Sequence, residues 1–254
     1  MTRDRTQAVT QEAARPLTLA VVSAGLSTPS STRLLADRLA EATRQRLADG
    51  GQGPVEVRVV ELRDLATDIA HNLVTGFPGA ELRAAVETVT GADALIAVTP
   101  VFAASYSGLF KSFFDILEPE ALAGKPVLAA ATGGTARHSL VLDHALRPLF
   151  GYLRALTVPT AVFAAPEDWG GTGDAFTGSL PGRVDRAAGE LAALLAGRPA
   201  TGGPSAAGPV AAGGAPGETG ETGGTVRAAD AGPSDPYDEA SVVPFAQQLA
   251  ALRP

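Results

Sequence analysis

The apolar positions of this 254-residue chain alternate between two rhythms. The runs 17–22, 93–98 and 127–131, apolar except for Thr18 and Asp93, read as strands, because a run with so few polar breaks suits a strand covered on both faces of a parallel sheet. Residues 158–163 form another strand, and 55–60 alternates over its first positions as an edge strand would. Between these runs the spacing becomes helical. Leu35, Leu39 and Ala42, with Leu47 a turn further on, mark a helix that opens at Ser30-Ser31-Thr32 and stops at Gly50-Gly51-Gln52-Gly53-Pro54. Leu82, Ala85, Val86 and Val89 predict a helix over 78–90, ended by Gly91, while the preceding stretch around His71 reads as loop. Leu109, Phe110, Phe113, Phe114 and Leu117 draw a wide apolar helix face over 107–117. Two more helices are predicted over 136–153 and 181–195.

Five strands alternating with helices through short connections call for an α/β fold, a doubly wound five-stranded parallel sheet with helices on both faces. In the strand order 2-1-3-4-5, strands one, three and four lie side by side. The loops leaving their carboxyl ends then share one mouth, the place where open sheets of this kind bind ligands. Residues 1–15 read as a disordered lead-in and 16–196 as the folded domain. Residues 197–240 hold 11 glycines and 6 prolines and no Leu, Ile, Phe or Met, too little apolar surface to offset ordering, so they read as a disordered linker. Val242, Val243, Phe245, Leu249 and Leu252 return apolar character to 241–254, a segment expected to dock on the core or on a neighbouring subunit.

Composition narrows the chemistry. A net charge of −7 argues against a general nucleic-acid surface and asks for a local site if the ligand is an anion. With no cysteine there is no disulfide, thiolate metal site or thiol redox chemistry, and the three histidines at 71, 138 and 144 lack metal-ligand spacing. No 18-residue apolar run or signal peptide is visible, so a cytoplasmic protein without membrane association is expected. Strand one is not followed by G-x-G-x-x-G, and no G-x-x-x-x-G-K-[ST] occurs. Ser139, Asp143 and His144 sit on one predicted helix without a G-x-S-x-G elbow, which sets a hydrolase triad aside.

The three loops carry the candidate chemistry. The first, residues 23–32, has six hydroxyl residues among ten, including Ser23, Ser30, Ser31 and Thr32 at a helix start. It reads either as a phosphate cradle of free N–H groups, helix dipole and hydroxyls, or as a cap with solvated neighbours. The second contains Pro100, Val101, Phe102, Ser105, Tyr106, Ser107 and Gly108. Two rings, hydroxyls and a glycine suit a flat heteroaromatic ligand, though packing, turn and cap roles would use the same residues. The third, Thr132-Gly133-Gly134, is a turn whose missing side chains let backbone amides approach a ligand.

At these residues the chain resembles the NAD(P)H-dependent FMN reductases of flavodoxin-like fold, in particular the branch serving two-component, luciferase-like monooxygenases such as those acting on sulfonates. The resemblance runs over residues 17 to about 170. It rests on Ser23-Ala24-Gly25 with Ser30-Ser31-Thr32, on Thr99 to Phe102 with Ser105 to Lys111, and on Ala131-Thr132-Gly133-Gly134 followed by His138 and Asp143 to Pro148. It implies that Ser30, Ser31 and Thr32 hold the FMN phosphate. Pro100, Val101, Phe102, Ser105, Tyr106, Ser107 and Gly108 would line the ribityl and ring region, and Thr132, Gly133 and Gly134 would present amides to the pyrimidine edge. FMN and NAD(P)H would meet face to face over Val101, Phe102 and Tyr106. It also implies a homodimer or homotetramer and a partner flavin-dependent monooxygenase that takes the reduced flavin. The chain departs from the family in carrying Phe102-Ala103 where members often have Tyr-Lys, in lacking an arginine in the first loop, and in placing His144 where some relatives carry a tyrosine in a helix used for tetramer contacts. A lone histidine on such an apolar face is expected to be a core or interface residue. A quinone or azo-dye reductase with bound FMN and a flavodoxin-type electron carrier share the fold, and no arginine can be tied to a 2′-phosphate from the sequence.

Overall fold

The computed structural model describes residues 15–169 and 178–197. The expected linker beyond Gly197, the docking segment 241–254 and the lead-in before Arg15 lie outside the described residues. Three strands carry the centre of the sheet: β1 (Leu17–Ser23), β3 (Ala94–Phe102) and β5 (Pro126–Thr132). All seven residues of β5 and the first six of β3 are buried, as their unbroken apolar runs require. β2 (Val55–Glu61) pairs parallel with β1 along its whole length and keeps an alternating exposure, which suits the edge of the sheet.

The sheet is parallel and flavodoxin-like, but it has seven strands rather than five. Its order is β2-β1-β3-β5-β6, with β7 also on β5 and β4 on β3. Of the expected fifth strand, 158–163, only the end is strand, β7 (Val162–Ala164), and a separate short strand, β6 (Leu156–Thr157), precedes it; both are parallel to β5. Pro159 falls between them and has no N–H for a ladder. The polar backbone of the break is satisfied from the flanks: Arg147 donates to the carbonyls of Val158 and Pro159, and Glu190 accepts from both the amide and the hydroxyl of Thr160. The extra strand β4 (Ser105–Tyr106) is the return arm of a hairpin on β3.

Successive residues of the central strands face opposite layers. Ala20, Val22, Leu95, Ala97, Val127 and Ala129 point to a layer that contains α3 (Ala80–Gly91), α4 (Gly108–Asp115) and α5 (Arg147–Tyr152). The rings of Phe110, Phe114 and Phe150 stack there, with centroids 4.7 Å apart for Phe110–Phe114 and 5.2 Å for Phe114–Phe150. Leu19, Val21, Ile96, Val98, Leu128 and Ala130 face α1 (Ser31–Asp49) and α6 (Leu180–Ala196).

Two segments differ from the sequence reading. The stretch around His71 is a helix, α2 (Ala66–Thr75), rather than a loop; it buries Ile69 alone and so leaves almost no apolar period to detect. The expected helix over 136–153 is three pieces: a 3₁₀ turn at Ala136–Leu140, a π turn at Leu142–Leu146 and α5. Pro148, with no N–H to return to the carbonyl four residues back, sits just after the π turn, and Arg147 N–H reaches Leu142 O instead. His144 is exposed on this turn, not packed in the core.

Candidate functional site

The three suspected loops meet at the carboxyl edge of β1, β3 and β5. The sheet register sets this up, with Ser23 opposite Val98 and Pro100 opposite Thr132. Beyond the strands, Ala24 N–H donates to Val98 O, and the hydroxyls of Thr32 and Thr132 share a buried hydrogen bond of 2.8 Å. One contact thus joins the first loop to the third, while the second lies between them.

In the first loop the hydroxyls divide their tasks. Ser30 caps α1, its Oγ accepting from Arg33 N–H at 3.2 Å, and Thr32 is committed to Thr132. Ser31 is exposed at the first helical position. Ser23 is fully buried, and its Oγ has no hydrogen-bond partner among the described residues. A buried hydroxyl left without a partner costs about 1–3 kcal/mol, which makes Ser23 a candidate for contact with a polar ligand atom. Gly25 lets the loop fold this tightly: a Cβ there would lie 2.0 Å from Ser30 Oγ. Arg33 near the helix start is held by Asp37 and Glu61, and those hydrogen bonds raise its pKa.

The second loop is a two-residue hairpin. Val101 pairs with Tyr106 and Phe102 with Ser105, and both turn residues, Ala103 and Ala104, have positive φ, 47° and 65°. Directly opposed residues share a face and neighbouring pairs take opposite faces. The hairpin therefore sets Val101 and Tyr106 on one side, and Phe102 and Ser105 on the other. Tyr106 leans on Phe110, centroids 6.0 Å apart, and lines a cavity of about 380 Å³ with Lys111, Phe114, Leu149 and Tyr152. Phe102 is 49% exposed. The expectation that both rings lie under one ligand does not fit this pairing; Phe102 is the ring that faces open space. Thr99 organises the base of the hairpin, its Oγ1 accepting from Ser107 N–H at 3.0 Å and donating to Pro100 O at 2.9 Å. Ser107 caps α4 by accepting from Phe110 N–H, and Gly108 is exposed beside it.

In the third loop, Gly133 is a glycine for an internal reason. A Cβ there would meet the ring of Phe163 at 2.8 Å, and its N–H already donates to Ala164 O at 3.1 Å. Its amide is consequently not open to a ligand, contrary to the sequence reading. Gly134 has open space around it. Ala136 N–H is received by Glu167 from the turn after β7.

The sequence reading thus gathered residues that do come together, but it missed Thr99, Gly25 as a steric requirement, and Phe163. Thr99 is signalled by a hydroxyl at the end of an apolar run and Gly25 by its place among hydroxyls; nothing local signals Phe163. Among the described residues, no cluster of three His, Asp or Glu side chains could hold a metal, and no helix is long and apolar enough to cross a membrane.

Comparison with known proteins agrees with this geometry. Residues 17–170 match the family model described as NADPH-dependent FMN reductase. The FMN reductase (NADPH) of Pseudomonas aeruginosa is 42% identical over 155 residues, covering 61% of this chain and 80% of the relative. The NADH-dependent FMN reductase SfnF of Pseudomonas fluorescens is 41% identical over 156 residues, 61% of this chain and 80% of that one. A solved oxidoreductase from Corynebacterium diphtheriae superposes with a TM-score of 0.69 at 49% identity, covering 72% of this chain and 99% of that structure. A parallel sheet whose hydroxyl-rich, ring-bearing and glycine loops share one mouth, and a family match spanning all three, make this chain a member of the NADPH-dependent FMN reductase family.

Proposed function

We propose that the protein transfers a hydride from NAD(P)H to FMN at the carboxyl edge of β1, β3 and β5, giving NAD(P)+ and reduced FMN, and that the reduced flavin serves a partner flavin-dependent monooxygenase. The observation that carries the site assignment is the Thr32–Thr132 contact, which makes one mouth of loops that are far apart in the chain. The residues there suit FMN. The start of α1 with Ser31 offers N–H groups, a hydroxyl and a favourable dipole to the phosphate, while Ser30 and Thr32 hold that turn in shape. Ser23 offers a buried hydroxyl that no group among the described residues uses. Phe102 offers a ring face, with Pro100, Val101, Ser105, Ser107 and Gly108 shaping the loop that presents it. Thr132 and Gly133 brace the far wall, leaving Gly134 as the open position of that turn.

Bound FMN supplies the hydride acceptor. The chain's own residues are asked to bind, orient and exclude water, and no side chain need act as general acid or base. The branch represented by SfnF-type relatives supports transfer of reduced flavin to an oxygenase. In this reading the protein works in the cytoplasm as a homodimer or homotetramer.

The test is a titration of the full-length protein with FMN, followed by steady-state oxidation of NAD(P)H with free FMN, a quinone or an azo dye as acceptor. FMN-dependent NAD(P)H consumption is the expected result. Protein that neither binds FMN nor oxidises either nucleotide in its presence overturns the reading, and a strong preference for quinone or dye reassigns the acceptor.

A further inference from the structure

We infer that Arg137 recognises the 2′-phosphate of NADPH, and that this chain therefore prefers NADPH to NADH; the inference rests on the FMN reductase reading. The two nucleotides differ only by that phosphate, and the relatives divide on the point, being named for NADPH in one case and NADH in another. A chain of net charge −7 repels an additional dianion, so a preference for NADPH requires positive charge placed locally at the mouth.

Several cations near the three loops are already committed to partners. Arg33 is held by Asp37 and Glu61. Arg63 is bound to Asp64, Thr28 and the Ser27 carbonyl. Arg183 is clamped to Asp168 and to the carbonyls of Phe163 and Gly178. Arg147 bridges Asp143 and the break between β6 and β7. Arg137 differs: it is exposed and its side chain has neither an ion pair nor a hydrogen bond among the described residues. It lies three positions after Gly134, on the 3₁₀ turn that continues the third loop. That turn stays close to the third loop, since His138 Cβ is 3.4 Å from where a Gly133 side chain would begin.

The surroundings have the chemistry of a phosphate site. Thr135 and His138 are exposed and Ser139 half-buried on the same short turn, so a guanidinium, an imidazole and two hydroxyls occur within five residues. A guanidinium fork binds a phosphate through paired N–H groups, and hydroxyls complete the shell. Glu167, from the turn after β7, accepts from the Ala136 amide. It adds negative charge beside the turn, which makes the guanidinium more necessary for an anion.

The experiment compares kcat/KM for NADPH and NADH, with FMN saturating, in the wild type and in Arg137→Gln and Arg137→Lys. It adds direct calorimetric titration of adenosine 2′,5′-bisphosphate against ADP, which reads the phosphate site without turnover. The wild type should favour NADPH. Arg137→Gln should lower the NADPH/NADH ratio about tenfold or more, the scale of a lost charge-assisted contact, with Arg137→Lys in between. The bisphosphate should lose affinity in parallel. A wild type that favours NADH, a ratio unmoved by Arg137→Gln, or equal affinity for bisphosphate and ADP overturns the inference. If FMN is not reduced at all, the reductase reading falls while the titration still decides the role of Arg137.

Discussion

Ser23 separates what a hydroxyl costs the fold from what it offers a ligand. In the free protein its Oγ is buried without a partner, so Ser23→Ala should leave the ligand-free protein as stable or more stable, by about 1 kcal/mol, because removing an unsatisfied polar atom removes its desolvation penalty. The same change should weaken FMN binding several-fold. Melting temperatures with and without FMN test both signs together, and a mutant that is destabilised when free yet binds FMN normally would contradict the assignment. The candidate hydroxyls were visible in the sequence as a group, but not by task. Ser30 and Ser107 accept from amides three residues ahead, which a cap motif announces. That Thr32 meets Thr132, and that Gly133 must clear the ring of Phe163, depends on which strands become neighbours, and no local pattern encodes it.

The hairpin between β3 and β4 carries the clearest element-scale conflict. A two-residue turn with positive φ at both positions favours Asn-Gly, yet this one is Ala103-Ala104. Left-handed alanines cost about 1–2 kcal/mol each, and the strain is offset by the pairs on either side. The double change Ala103→Asn with Ala104→Gly should raise stability by about 1 kcal/mol, the strain relieved less the entropy that glycine loses on folding, read as a higher urea midpoint. A lower midpoint would mean that the alanines make contacts worth more than their strain. The hairpin was not foreseen because the loop after Thr99-Pro100 is too short for a strand period to register. β1 and β5 were read to within a residue at each end, whereas β3 runs four residues beyond the reading, through Thr99 and Pro100 to Phe102. The fifth lane was read as one strand over 158–163, whereas Pro159 and Thr160 interrupt it between β6 and β7.

Across the whole molecule, the two edges of the sheet do different work. The carboxyl edge is the proposed ligand site; the amino edge is tied by Asp93, which accepts from the Thr18 amide and pairs with Arg15, while Lys125 reaches the Thr90 and Ala92 carbonyls beside it. Burial acts to raise the Asp93 pKa, but the Arg15 pair and the Thr18 amide together hold it below the ordinary value. A lowered folded-state pKa gives stability that is present above the unfolded value of about 3.9 and lost as pH falls through the folded one. Asp93→Asn should therefore be less stable than the wild type at neutral pH, with the gap closing below about pH 4, as urea midpoints across pH will show. A gap that does not narrow in acid would mean that the carboxylate's charge is not what ties this edge. The fold class, two layers around a parallel sheet, followed from the alternation of runs and periods, whereas the seams at the amino edge involve single polar residues that no periodicity marks.

The hydroxyl bridge between Thr32 and Thr132 joins positions 100 residues apart. On the ribosome, a nascent chain that has made β1, α1 and β3 but not β5 holds the hydroxyl half of the mouth with nothing to close it. If flavin binds at this mouth as proposed, the power to capture it is acquired late in synthesis, once β5 has added beside β3.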